Sequence, residues 1–261
     1  MANQSLRDLA GDSATTGHRC EAAPVRRKAD QPSLLLEAGD ELRLLIGAPA
    51  FPRLLAVLLL VDAALILLHV LHELRDMEVI GGRAWLASQL LLLSEDRGYG
   101  EIWGYAKALA ATAGLLALCW RSRAPVFGAL GFTFAVIVLD DSLMIHEVFG
   151  HRLATALAFE PSFGLEAQDL GELMVWAMLG VVVVAALAVG FWRSNRRARA
   201  TAAIYFGFFA ALVFFAVGVD MLHIALSDAF PGAHRLWPLA EEGGELVTLS
   251  LICAATVRPP A

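Results

Sequence analysis

The chain has 261 residues, 58% of them hydrophobic and 18% charged, with a net charge of -6. With a mean hydropathy of +0.62 this excludes an ordinary soluble domain. The modest negative charge and clustered cations exclude a nucleic-acid partner, and Cys20, Cys119 and Cys253 are too far apart for a disulfide framework or a zinc knuckle.

Residues 1–31 are polar and close on Arg26-Arg27-Lys28, which reads as a disordered cytoplasmic tail able to touch anionic lipid. No charged, apolar and cleavage-site pattern opens the chain, so no cleaved signal peptide is expected. Residues 32–52 mix leucines with Glu37, Asp40, Glu41 and Arg43 and predict an amphipathic helix on the membrane surface. The remainder, 53–261, predicts an all-α, polytopic membrane bundle of about six transmembrane helices. They fall at about 53–74, 101–120, 125–149, 171–192, 201–226 and 241–257, near the ~20 residues a span needs. Short interfacial helices are expected between them, notably from Ala84 to Leu93.

The cations set the orientation. Arg7, Arg19, Arg26, Arg27, Lys28, Arg43 and Arg53 precede or open the first span, Arg121 and Arg123 join the second to the third, and Arg193, Arg196, Arg197 and Arg199 join the fourth to the fifth. By the positive-inside rule both termini are cytoplasmic in a cell (inner) membrane, and the longer loops face outward. Trp120 and Trp192 suit the inner interface; Trp85, Trp103 and Trp237 suit the outer one.

A charge at mid-membrane costs ~2.5–3.5 kcal/mol even on insertion scales, so ionisable residues in spans need a reason. On a continuous third helix, Asp140, Met144, Glu147 and His151 share one stripe, and Ser142 and His146 form another. The first span offers Asp62, His69 and Glu73 at spacings of 7 and 4, with His72 beside them. The fifth offers Asp220 and His223, the sixth Glu241, Glu242 and Glu245, and the fourth Glu166, Asp169 and Glu172. All lie toward the outer ends, which predicts an outward-facing polar cup. His72-Glu73, His146-Glu147 and Asp220 with His223 also hint at a repeat by helical hairpins.

Simpler roles exist for several of these. Glu241 and Glu242 suit a helix N-terminus, Ser142 and His146 suit interhelical hydrogen bonding, and Lys107 suits neutralising an acid. The deeper set points to chemistry. Asp62, His69, Glu73, Asp140, Glu147, His151, Asp220, His223 and Glu245 are the predicted metal ligands, and Asp140, Glu147, Ser142 and His146 the predicted catalytic residues. Imidazole with carboxylate and no thiolate suits Zn, Fe or Mn. A metal-dependent, hydrolase-like membrane enzyme for a lipid or other membrane-accessible substrate is the leading reading.

Two others stand beside it. Graded acids and histidines also make a cation or proton pathway, though the inner halves hold few polar groups besides Thr112, Thr133 and Ser250. A b-type haem between His69 or His72 and His146 or His223 is less compatible with the surrounding carboxylates, and a structural accessory role is the plainest alternative. The spacing Ser142-x-x-x-His146 is similar to the Ser-x-x-x-His element of the alkaline ceramidase and progestin/adiponectin-receptor superfamily of metal-dependent hydrolases. Their last-span His-x-x-x-His has no counterpart here, since Glu241 to Glu245 stands in its place, and they have seven spans. The likeness covers five residues and assigns no family.

Overall fold

A computed structural model describes residues 33–81, 83–162, 164–226 and 235–257. The tail expected over 1–31 lies outside the described residues. Among these the only β pairing is an isolated bridge between Ser162 and Leu165, and everything else regular is helical.

Helix α1 (Leu34–Gly47) starts where Ser33 Oγ accepts the Leu36 N–H at 3.3 Å, a side-chain N-cap. Leu35, Leu36, Leu44 and Ile46 are exposed along it, while Glu37 and Glu41 pair with Arg196 and Arg197 at 2.7 and 2.9 Å. Those arginines open α7, so α1 is strapped to the basic end of a later helix.

Five stretches are long and apolar enough to cross a membrane. They are α2 (Ala50–Asp76), α3 (Tyr99–Ser122), α4 (Pro125–Leu143), α6 (Ala167–Arg193), and the run Arg196–His223. That last run comprises α7 (Arg196–Val213), a π-helical segment (Phe214–Val219) and the start of α8 (Asp220–Leu226). The sixth expected span is helical, as α9 (Trp237–Ala255), but its three glutamates keep it out of the apolar class. It can carry them because it is buried in protein. Nine of its 19 residues are buried, and it packs on α2, α3, α7 and the π-helical segment. The lipid-type surface belongs to its neighbours, where Leu60, Val181 and Trp192 stand exposed.

The third expected span differs most. The continuous helix over 125–149 is broken, for α4 stops at Leu143, Met144 turns left-handed (φ 52°, ψ 41°), and α5 (Ile145–Leu157) starts in a new direction. Neither glycine nor proline marks the spot. Asp140 supplies the reason: its Oδ1 accepts the His146 backbone N–H at 3.0 Å, satisfying one of the orphan donors of α5. The shared stripe of Asp140, Glu147 and His151 is therefore corrected, because those residues sit on two different helices.

α5 pairs with the first turns of α6 as a helical hairpin. At 27 residues α6 is about 40 Å long, more than the ~30 Å hydrocarbon core needs. Glu166 and Asp169 form its capping box, with Glu166 N–H donating to Asp169 Oδ2 at 2.8 Å. The crossing depends on glycine: a Cβ at Gly171 would run into the Gly150 carbonyl, and one at Gly150 would come 2.6 Å from Glu172 Cγ. Gly171→Ala should therefore cost about 1–3 kcal/mol by overpacking. Gly180→Ala, with nothing within 4 Å of the new methyl, should not. Thermal melts of the two variants side by side check this, and equal melting would contradict the close crossing.

Candidate functional site

The sequence-predicted ligands divide into two groups, and the first is committed elsewhere. Asp62 and Lys107 are both fully buried and form an ion pair of 2.8 Å between α2 and α3. Lys107 Nζ also donates to the Leu246 carbonyl at 2.6 Å and to Ser250 Oγ at 3.1 Å. Asp62 accepts further bonds from Trp103 Nε1 at 2.8 Å and Ser250 Oγ at 2.5 Å. Such a closed network holds α9 against α2 and α3 and leaves Asp62 little capacity for a metal, in keeping with the rule that buried charges are paired. Two residues change role here. Trp103 joins the network where an interfacial position was expected, and Ser250 is a member of it where an idle hydroxyl was expected.

His69, His72 and Glu73 are also engaged. His72 Nδ1 donates to the Leu86 carbonyl at 2.8 Å, and its Nε2 lies 3.3 Å from Asp76. His69 Nδ1 accepts the Leu93 N–H at 3.2 Å. These two rings tie the short 3₁₀ turns Ala84–Ala87 and Gln89–Leu91 onto α2. Glu73 pairs with Arg235 at 2.6 Å. With both His72 nitrogens committed, that ring offers no axial position to a haem.

The second group converges at one end of the bundle. Asp140, Asp141 and His146 each offer a ligand atom, all within 4.8 Å of one another. Asp140 is fully buried, and its Oδ2 takes the His146 Nδ1–H at 2.8 Å. A carboxylate only accepts, so Nδ1 carries the hydrogen and Nε2 is the free nitrogen, the arrangement by which carboxylates orient metal-binding or basic imidazoles. The Trp176 ring of α6 lies 5.5 Å from the imidazole. Burial disfavours the charged ring of His146, but the hydrogen bond to Asp140 and the charges of Asp140, Asp141 and Glu172 more than offset it, so its pKa is raised.

Across the same end, Asp220, His223 and Glu241 form a second such trio within 4.8 Å. The His223 ring stacks on Trp237 at 5.8 Å and 15°. The π-helical turn before Asp220 sets the direction of this group, a common use of π-bulges at functional sites. It is accommodated by Gly244 of α9, where a Cβ would strike the Phe215 ring. α9, which supplies Glu241 to this trio, also carries Glu245, within electrostatic reach of Glu242, Asp141, Glu241 and Asp220. From α3, Glu101 accepts bonds from Tyr105 Oη and the Arg97 N–H.

A cavity of about 600 Å³ opens on Asp141 and His146 of the first trio, while Asp220, His223 and Glu241 stay off its walls. Asp141, His146, Glu101, Tyr105, Glu242 and Glu245 line its polar end, and Val136, Ile137, Leu173, Phe209, Leu212 and Leu249 are among its apolar walls. Glu147 is half-buried on α5 within electrostatic reach of His146 and Glu172 but does not line the cavity. Ser142 is half-buried at the end of α4 and also stays off the walls. His151 is exposed and faces a separate hollow with Ala154 and Pro161. The residues that stripe counting missed are Asp141, Tyr105 and Trp176. Asp141 counts only because the helix breaks three residues later, and two adjacent carboxylates at the end of an apolar run were the one signal for it.

The comparison with protein families matches residues 52–258, nearly the whole helical region, to a family described as "Domain of unknown function (DUF8692)". The chain belongs to that family. Every element of the site described above lies inside the matched stretch, and only α1 precedes it. No curated protein matches the chain, and no solved structure does.

Proposed function

We propose that this DUF8692 member is a metal-dependent membrane enzyme, hydrolase-like, that acts on an amphiphilic, membrane-accessible substrate. The observation that carries this reading is the cavity with two characters, nitrogen and oxygen ligands at one end and apolar walls at the other. Asp140, Asp141 and His146 would hold the ion, and hard carboxylates with one imidazole suit Zn, Fe or Mn. Bound there, such an ion supplies a water acidic enough to be a nucleophile near neutral pH.

The chain's own residues supply the rest. Asp140 fixes the His146 ring through Nδ1, and Trp176 holds its face. Glu242 and Glu245 stand at the same end, placed to take and return a proton. The apolar walls hold the substrate's chain and keep bulk water from the reacting end. The distribution of arginines supports a cup facing away from the cytoplasm.

A transport reading fits less well, because the inner-half threonine hydroxyls described are spent within their own helices. Thr112 and Thr133 turn their hydroxyls to the Ala108 and Ala129 carbonyls of their own helices, at 2.9 and 3.0 Å.

The test is turnover in proteoliposomes with a panel of long-chain esters and amides, beside a cation-flux assay on the same vesicles. Hydrolysis should stop on chelation and return with added Zn, Mn or Fe, with no flux. Chelator-insensitive turnover, or flux without turnover, would overturn the proposal.

A further inference from the structure

We infer that the amphiphile taken by this cavity carries a cationic head, and that it reaches the cavity sideways from the bilayer between α6 and the π-helical segment. This deepens the enzyme reading and rests on it for the cavity being the substrate site.

The head group follows from charge. Glu95, Asp96, Glu101, Asp141, Glu242 and Glu245 line the cavity, and among its described lining residues there is no lysine or arginine. Lys107 is paired with Asp62 and Arg235 with Glu73, and Arg97, whose backbone N–H bonds Glu101, is exposed and not among the lining residues. One divalent ion at Asp140, Asp141 and His146 neutralises part of this set and leaves the glutamates of α3 and α9 in excess. A phosphate or carboxylate head would find no cationic partner among the lining residues and would stand among crowded acids in a poorly screened site. An ammonium head meets carboxylates from α3, α4 and α9, and the rings of Tyr105 and Trp176, also lining the cavity, offer faces suited to a cation.

The route follows from the packing. α6 leans on α4 and α5, whereas the π-helical segment leans on α7, α8 and α9. Both nevertheless contribute walls to the cavity, Gly180 and Val184 from α6 and Ala216 and Val217 from the π-helical segment, with Val213 at the end of α7 just before it. Val184 and Val213 line the cavity while being 63% and 43% exposed, which places them at an opening. The opening lies between two apolar helices, so it faces hydrocarbon. Gly180 stands beside it with nothing within 4 Å of a Cβ, so there is room there for a chain to pass.

The experiment uses the full chain in neutral-lipid nanodiscs, with empty discs as the blank. Binding of hexadecylamine, hexadecanol and hexadecyl phosphate is measured, and metal content is read on the same samples. The amine should bind at least about tenfold tighter than the other two, a difference of ~1.4 kcal/mol. Glu242→Gln with Glu245→Gln should erase most of that preference. Gly180→Phe should abolish amine binding with metal content and melting unchanged, while Val181→Phe, on the exposed face outside the cavity, should bind like wild type. Equal or tighter binding of the phosphate or the alcohol would overturn the cationic head, and a Gly180→Phe protein that binds normally would overturn the route. A metal-free wild type that still prefers the amine would overturn the metal reading and leave this inference standing.

Discussion

Lys107→Met should lower stability by about 3–5 kcal/mol, the usual result of removing one partner from a buried ion pair. The variant leaves the Asp62 carboxylate, fully buried, with only Trp103 and Ser250 as donors. It also strips the Leu246 carbonyl and Ser250 of a donor that reaches across to α9. Asp62→Asn should cost less than Lys107→Met, since the amide can still bond to Trp103 or Ser250. Lys107→Met combined with Asp62→Leu should recover a large part of the loss, because an apolar pair of similar volume removes the charge along with its partner. Melting in detergent of the three variants checks this. Lys107→Met melting with the wild type would mean the network does not bind α9 to the bundle.

At the other end of the bundle the expected effects are on metal, not on folding. His146→Ala removes a ring whose side chain is 19% exposed, so the fold should tolerate it while bound metal falls to near nothing. Asp140→Asn is more informative. An amide can still accept the His146 backbone N–H, so α5 keeps its cap, but it no longer presents a carboxylate to the imidazole Nδ1–H. Because Asp140 both offers a ligand oxygen and orients the His146 ring, affinity for metal should fall by at least about 10–100-fold, the loss typical of an orienting group alone. Asp140→Ala should add the loss of the cap, about 1 kcal/mol. If Asp140→Asn and wild type bound metal equally, Asp140 would be a helix cap and nothing more.

How much of this was legible in the sequence depends on the kind of information each feature needs. The lipid-facing helices announce themselves by long apolar runs, and Lys107 as a neutraliser of an acid followed from its being the one cation inside a span. α9 was legible as a helix, but its glutamates read as a weak span because a window cannot see that the helix is wrapped by protein. The break at Met144 was not legible. It carries no glycine or proline, and its cause is a side-chain carboxylate reaching forward six residues to cap the next helix. A stripe drawn through Asp140, Glu147 and His151 runs across this break, so it leaves out Asp141 and takes in His151. His69, His72 and Glu73 were sorted with the site because they are ionisable and deep, but their partners are loop backbone atoms and Arg235, which spacing along one helix does not reveal.

The central claim is that Asp140, Asp141 and His146 hold a divalent ion at the polar end of the cavity, and elemental analysis of the purified protein tests it most directly. Wild type should carry about one Zn, Fe or Mn per chain, Asp141→Asn with His146→Ala should carry almost none, and Glu73→Gln, which disturbs only the pair with Arg235, should carry as much as wild type. Folded wild type purified without chelator and free of metal, or metal that survives in the Asp141→Asn/His146→Ala protein, would contradict the account.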